Sequence, residues 1–389
     1  MGSSTVDVLI IGGGVAGPAL AAALAPHRLR VLLVERDAGP PDTARGDHLQ
    51  PRVVEILDRW GALDEFVRRG AERRTGTMWF DDVGNLLVRA MLEDADLPFP
   101  HFLVLDHERI SEALLAAASM NPRLTVHRPV LGWDLLESGP DGCTVRIDDG
   151  REQHTIGTSV LVGADGQASR VRYEAGIETE THRYRRPISI FFAPYTERPE
   201  GNSLTAHIGD RGIVALVPRR AGICKIGVAT DPDELSAWRR LDGPGIRRRL
   251  EHIARGLPIG EPRHVGTYPP VRITAERWAR DAVVLLGDAC HAMHPAQSQG
   301  MNVAIRCADA LAEALNGGLD DPSSAIAAYE RHVRPALAPL LDANHQAGML
   351  FDATSPEPLA HFAAMLRQLG EDEDAALGYA LTTAGYPPQ

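Results

Sequence analysis

The residues best suited to chemistry in this chain are the glycines and acids of three short, widely separated motifs. The first is Gly12-x-Gly14-x-x-Gly17, which follows an apolar run at 6–11 and leads into a helix-like stretch at 16–24. Strand, glycine turn and helix in that order make a cradle for a pyrophosphate. Gly12 permits the tight turn, Gly14 lets the backbone approach the phosphates, and Gly17 lets helix and strand pack closely. Ala16 lies in the same turn, and the N–H groups of the helix start point at the anion. Pro18 is compatible with this, because a first-turn residue does not need its N–H for the helix. A second apolar run at 30–34 ends at Glu35, eighteen positions after Gly17. An acid at that point accepts hydrogen bonds from ribose hydroxyls and repels a 2′-phosphate, which suits the adenosine of FAD or NAD.

The other two motifs narrow the choice. The strand-like run 160–162 ends in Gly163-Ala164-Asp165-Gly166, and the run 282–286 ends in Gly287-Asp288. Each places an Asp just past the carboxyl end of a strand, where open α/β sheets bind ligands. A flavin carries a ribityl chain of hydroxyls, and Asp288 can accept from one of them. Beyond it come Pro295 and Gln299-Gly300-Met301-Asn302. Val303, Ala304, Cys307, Ala308, Leu311, Ala312 and Leu315 then keep the spacing of a buried helical stripe. A helix starting near Gly300 would turn its N–H groups toward the negative charge of a reduced flavin.

Together these motifs resemble those of the single-component FAD-dependent aromatic hydroxylases, the p-hydroxybenzoate hydroxylase-like family of class A flavoprotein monooxygenases. The resemblance spans roughly residues 5–345. It implies an α/β fold in which a Rossmann-like FAD-binding domain is interleaved with a smaller antiparallel-sheet substrate domain and followed by C-terminal helices. It also implies that Arg36, Arg45 and Arg109 lie near the flavin or its pyrophosphate, with surface salt bridging as the alternative for Arg45 and Arg109. Asp165-Gly166 would serve both FAD and NADPH. The implied reaction uses NADPH or NADH and O2. The reduced flavin forms a C4a-hydroperoxide, whose electrophilic oxygen is attacked by an electron-rich aromatic substrate. The cofactor carries that chemistry, while the protein positions the ring, excludes water and helps form a phenolate. One departure stands out: many relatives have Gly before the Gln-Gly of the third motif, and this chain has Ser298.

These motifs fall in 1–75, 100–178 and 270–345, which are expected to form the FAD-binding domain. Residues 76–99 and 179–269 lack the strand-glycine-helix rhythm. They read as a sheet-rich substrate domain, with β-prone runs at 188–195, 203–208, 212–217 and 223–229. Residues 77–80 and 85–89 read as a hairpin joined to that sheet. Ile246, Leu250, Ile253 and Leu257 mark a helix to cover it, and 346–389 reads as a helical C-terminal segment. His207, in one of these runs, is the expected group for polarising a substrate hydroxyl. Tyr184, Arg185 and His101 are its rivals. Trp79, Phe191, Phe192 and Tyr195 could line the pocket, about half of them by strand alternation.

Composition excludes several classes. The chain has 389 residues, 44% of them hydrophobic, and a formal charge of −12, which argues against a nucleic-acid partner. No apolar stretch reaches membrane-spanning length and no leader pattern is visible, so a cytoplasmic location is expected. The four cysteines lack metal or disulfide spacing, and Cys290-His291-Ala292-Met293-His294 has no distant partners for a tetrahedral site. Lys225 is the sole lysine, so basic charge rests on arginine and points to GC-rich coding. Two alternatives remain at this point: an FAD-dependent reductase of the same fold, and a flavin-binding carrier without turnover. A halogenase is disfavoured, because no two Trp sit two positions apart.

Overall fold

The structure is a computed structural model that describes residues 4–39, 46–93, 95–196, 202–317 and 319–386. Its base is an eight-stranded sheet. Ser4–Ile11 lies at the centre, paired in parallel with Gln153–Gly163 on one side and Val31–Val34 on the other. Leu124–His127 extends the sheet past Val31–Val34, and Val283–Leu285 extends it past Gln153–Gly163, again in parallel. All three strands that precede a motif therefore run side by side and end at one edge. Val8, Leu9, Ile10, Val160, Leu161 and Val162 are completely buried because both faces of the sheet are covered. Each such side chain contributes about 1.5–3 kcal/mol by burial.

Helices Ala16–Ala23 and Gln299–Leu315 pack on this sheet. Every residue of the expected stripe from Val303 to Leu315 is buried. Gly132–Gly139 and Gly142–Asp148 form an antiparallel extension on Gln153–Gly163.

The second layer is a seven-stranded sheet. In spatial order its strands are Arg263–Tyr268, Ile188–Pro194, Ile223–Ala229, Gly212–Pro218, Leu204–Gly209, Gly76–Asp81 and Leu86–Met91. The antiparallel meander expected from sequence is present, but one junction differs. Leu204–Gly209 and Gly76–Asp81 pair in parallel. They come from distant chain segments, so no tight turn dictates their relative direction. One face of this sheet packs Phe191, Val214, Ile226 and Val228 against Trp238 and the helix Gly243–Glu251. That helix stops before Ile253 and Leu257, although Leu257 still packs in the same cluster.

The other face looks toward the first sheet. Helices Glu357–Gly370 and Glu373–Thr383 close its far end by packing Leu359, Leu366, Ala376 and Ala380 against Leu87, Val88 and Ala90. Among the described residues, no helix is long and apolar enough to cross a membrane.

Candidate active site

A cavity of about 760 Å³ separates the two sheets. One side of it is made by the carboxyl ends of the parallel strands and the loops that follow them. Gly12 has φ +119°, and a Cβ there would lie 2.2 Å from the carbonyl oxygen of Ala164. First and second motifs thus meet backbone to backbone. The third motif joins them at Gly287, where a Cβ would lie 2.8 Å from that of Ala16. A Cβ at Gly14 meets nothing within 4 Å, so this backbone faces open cavity and is free for a ligand to approach. Ser111 fixes the loop from behind, its hydroxyl donating to the carbonyls of Gly13 and Gly14 at 3.0 and 2.7 Å.

Glu35 lines the same wall. Its carboxylate accepts from the N–H groups of Gly13 at 2.5 Å and Asp37 at 2.8 Å, which orients it while leaving lone pairs for ribose hydroxyls. Arg36 lines the rim, with a mostly exposed side chain 3.6 Å from Asp37. Asp165 accepts from Ser169 Oγ and from the N–H groups of Arg170 and Val171 at 2.5, 2.7 and 3.1 Å, which satisfies the first N–H groups of the short helix Arg170–Glu174 while Ser169 serves as its N-cap. Arg172 donates to the carbonyls of Gln167 and Ala289 at 2.9 and 2.7 Å, tying the second motif to the third. Asp288 accepts from Gln167 Nε2 at 3.3 Å, and Gly300 lies close to it.

Gly166, Pro295, Gly300 and Met301 line the cavity with them. The helix Gln299–Leu315 starts there without a side-chain cap, so its first N–H groups are available to an anion. Ser298, immediately before it, has φ +51°, the left-handed conformation that glycine adopts without steric cost. Gly17 packs away from the cavity, where a Cβ would lie 2.0 Å from the carbonyl oxygen of Gly12.

Several expected residues stand elsewhere. Asn302 is fully buried behind the wall. Its carboxamide accepts from Gln50 N–H at 2.8 Å and donates to the carbonyls of His48 and Ser298 at 3.2 and 2.9 Å. It anchors the 46–50 loop rather than facing the cavity. Arg109 also lies off the cavity, donating to the Arg69 carbonyl at 3.0 Å and pairing with Asp106 at 3.4 Å. Arg45 lies outside the described residues.

His207 is placed away from the cavity as well. It pairs across the sheet with Val214, one residue before the cavity-lining Ala215, and stacks on Phe80 at 5.0 Å. Strand alternation sends it to the opposite face. Burial pulls its pKa down to about 4, so it is neutral there. Trp79, Phe191, Phe192 and Tyr195 are not in the lining, nor are the rivals Tyr184, Arg185 and His101. Tyr268, Phe351 and Trp133 are the aromatic residues that do line it.

The antiparallel sheet contributes Ile188, Ile190, Ala215, Val217 and Gly227, with one charged side chain among them, Lys225. Lys225 is buried and donates to Asp47, which is itself buried in the loop that Asn302 anchors. Sequence reasoning does not single out this pair. The signal is there, however, because Lys225 stands inside the apolar strand Ile223–Ala229 at a position a strand would bury. In the same lining, His294 is buried and His48 half-buried, and desolvation lowers both pKa values to about 4. Ala296 N–H donates to His294 Nδ1 at 3.0 Å, which leaves the ring proton on Nε2.

A family model for the FAD binding domain matches residues 5–344. The chain belongs to this family of FAD-dependent monooxygenases. The monooxygenase is 27% identical over 364 residues to a rifampicin monooxygenase from Streptomyces venezuelae, a match covering 91% of this chain and 73% of that relative. It is similar in structure to an anhydrotetracycline hydroxylase from Streptomyces rimosus, with a TM-score of 0.75 and 25% identity over 98% of this chain and 77% of that one. It shares its fold with a p-nitrophenol 4-monooxygenase from Pseudomonas putida, with a TM-score of 0.83 and 20% identity over 98% and 99% of the two chains. The glycine cradle, the ribose-side acid and the uncapped helix start fit FAD as the group that the monooxygenase holds against its parallel sheet.

Proposed function

We propose that this monooxygenase inserts one atom of O2 into an electron-rich aromatic or polyketide-like small molecule at the expense of NADPH or NADH. In balance, substrate–H, O2, NAD(P)H and a proton give substrate–OH, NAD(P)+ and water. The observation that carries the proposal is the two-sided cavity. Glycines and acids of three cofactor motifs wall one side, and the apolar face of the antiparallel sheet walls the other. The chemistry supplied by FAD, when bound, is acceptance of a hydride and activation of O2.

This chain's own residues bind and orient. Gly14 and the start of Gln299–Leu315 offer backbone N–H groups to anionic parts of the cofactor, and Glu35 and Asp288 offer acceptors to its hydroxyls. Ile188, Ile190, Val217 and Phe351 keep the opposite side apolar, which favours an aromatic ring and excludes water. The names of two relatives, a rifampicin monooxygenase and an anhydrotetracycline hydroxylase, support an aromatic or polyketide-like molecule as the class.

The test is anaerobic mixing of FAD-loaded protein with NADPH, then NADH, followed by flavin absorbance, with and without a panel of phenols and aromatic polyketides. Bleaching accelerated by one aromatic compound, followed on aeration by a product heavier by one oxygen, is the expected result. Absence of bleaching with both nucleotides across the panel would overturn the NAD(P)H-driven reading. Bleaching without an oxygenated product would indicate a reductase.

A further inference from the structure

Lys225 is the sole lysine of the chain, and it is spent on a buried position. A buried ammonium is costly unless it is paired and hydrogen-bonded. Lys225 pairs with Asp47, and Arg219 approaches the same carboxylate at 3.4 Å. Arg219 also pairs with Asp106, which Arg109 and Arg220 approach at 3.4 and 3.8 Å. Four cations thus share two carboxylates, and the network carries surplus positive charge. Only Lys225 and Asp47 of this network line the cavity. Beside them, across the strands, stand Val217 and Phe192, and His48 in the same wall is neutral. Arg263 lies over the Phe192 ring and adds positive charge on that side.

Resting on the function proposed above, we infer that Lys225 and Asp47 form a two-point subsite for an acidic hydroxyl of the substrate, a phenol or an enol. Lys225 Nζ has three donors, and one is used on Asp47. Another meets the substrate oxygen. Asp47 accepts the hydroxyl proton as a hydrogen bond. A neutral hydroxyl satisfies both partners at once. When the hydroxyl ionises, its O–H bond breaks, the proton passes to solvent, and the oxyanion stays on Lys225. The surplus charge of the network favours that ionised form. An oxyanion raises the electron density of its ring, which is what an electrophilic oxygen donor requires.

Colour reports this ionisation directly. FAD-loaded protein is titrated with 4-nitrophenol and with alizarin across pH, with their O-methyl ethers as controls. The expected result is an apparent pKa lowered by about one unit or more for at least one bound phenol, and binding of its ether about tenfold weaker. Lys225→Met loses the shift. Asp47 keeps Arg219 as a partner in that variant. Asp47→Asn moves the shift the other way, enlarging it because a neighbouring negative charge is gone. These opposite signs separate the subsite from a merely structural role, and they decide the matter even if one variant fails to retain FAD. Binding of neither phenol to the parent, an unshifted pKa, or equal shifts in the parent and in Lys225→Met would overturn the subsite. NADPH bleaching of the same preparations tests the monooxygenase reading separately: a parent that ionises the phenol yet never bleaches keeps the subsite and loses that reading.

Discussion

Gly12 and Ala164 touch through their backbones: a Cβ on the first would lie 2.2 Å from the carbonyl oxygen of the second. The turn of the first motif is therefore seated on the strand end of the second. A Cβ on Gly14, two residues on, would meet only open cavity. The two glycines should consequently fail in different ways. Gly12→Ala combines a backbone clash with φ +119° and is expected to cost about 3 kcal/mol or more. Gly14→Ala is expected to leave the apoprotein's melting temperature unchanged while weakening FAD binding about tenfold or more. Thermal unfolding of the apoproteins, paired with FAD titration, separates the two. A melting temperature lowered equally in both would refute the distinction.

Ser298 makes the opposite kind of prediction. It holds φ +51° at the entry to Gln299–Leu315, and its side chain makes no capping bond there. Ser298→Gly removes a left-handed strain of about 1–2 kcal/mol and adds back some unfolded-state entropy. The net expectation is a stabilisation of about 0.5–1 kcal/mol, measured by urea unfolding. A destabilised variant would show that the serine contributes something other than strain.

Asn302 carries three hydrogen bonds in a fully buried position, joining the helix to the 46–50 loop that holds Asp47. Asn302→Ala leaves Gln50 N–H and the His48 carbonyl without these partners. The expected cost is about 2–3 kcal/mol. The telling comparison is Asn302→Asp, which keeps the acceptor for Gln50 N–H and loses the two donations. At neutral pH it should be at least as destabilised as Asn302→Ala, because a buried carboxylate would face the two carbonyl oxygens. Unfolding midpoints of the three proteins in one buffer check the order.

Stability should also fall in mild acid. Burial lowers the pKa of His207 from 6.5 to about 4 in the folded protein. Between those values the unfolded chain binds the proton and the folded one does not. Stability from this group is full above pH 6.5 and is lost as pH falls toward 4. His48, His291 and His294 add to the same window. His207→Leu should reduce the slope of stability against pH by about 1.4 kcal/mol per unit there. Because His207 faces away from the cavity, FAD affinity should not change. Urea unfolding at several pH values gives the slope, and an altered FAD dissociation constant would contradict the placement.

Much of the cofactor half was legible in the chain alone, because its determinants are local. Each motif is a strand followed at once by the glycine or acid that its end requires, and the turn geometry is set within a few residues. The substrate half was legible only as elements. Strands 188–194, 204–209, 212–218 and 223–229 can be located by composition, but which of their faces meets the cavity depends on how they register with one another and with the parallel sheet. In a strand a single position of parity exchanges the two faces. That parity turned His207 toward Phe80 and Lys225 toward Asp47, 178 residues away in sequence. Asn302 carries the same lesson from inside a motif: its place in sequence suggested the cofactor, and long-range packing assigned it to Gln50 and His48. Short-range geometry determined where an anion and a ribose can bind. Only the tertiary contacts decided which polar groups look into the cavity and which are held behind its wall.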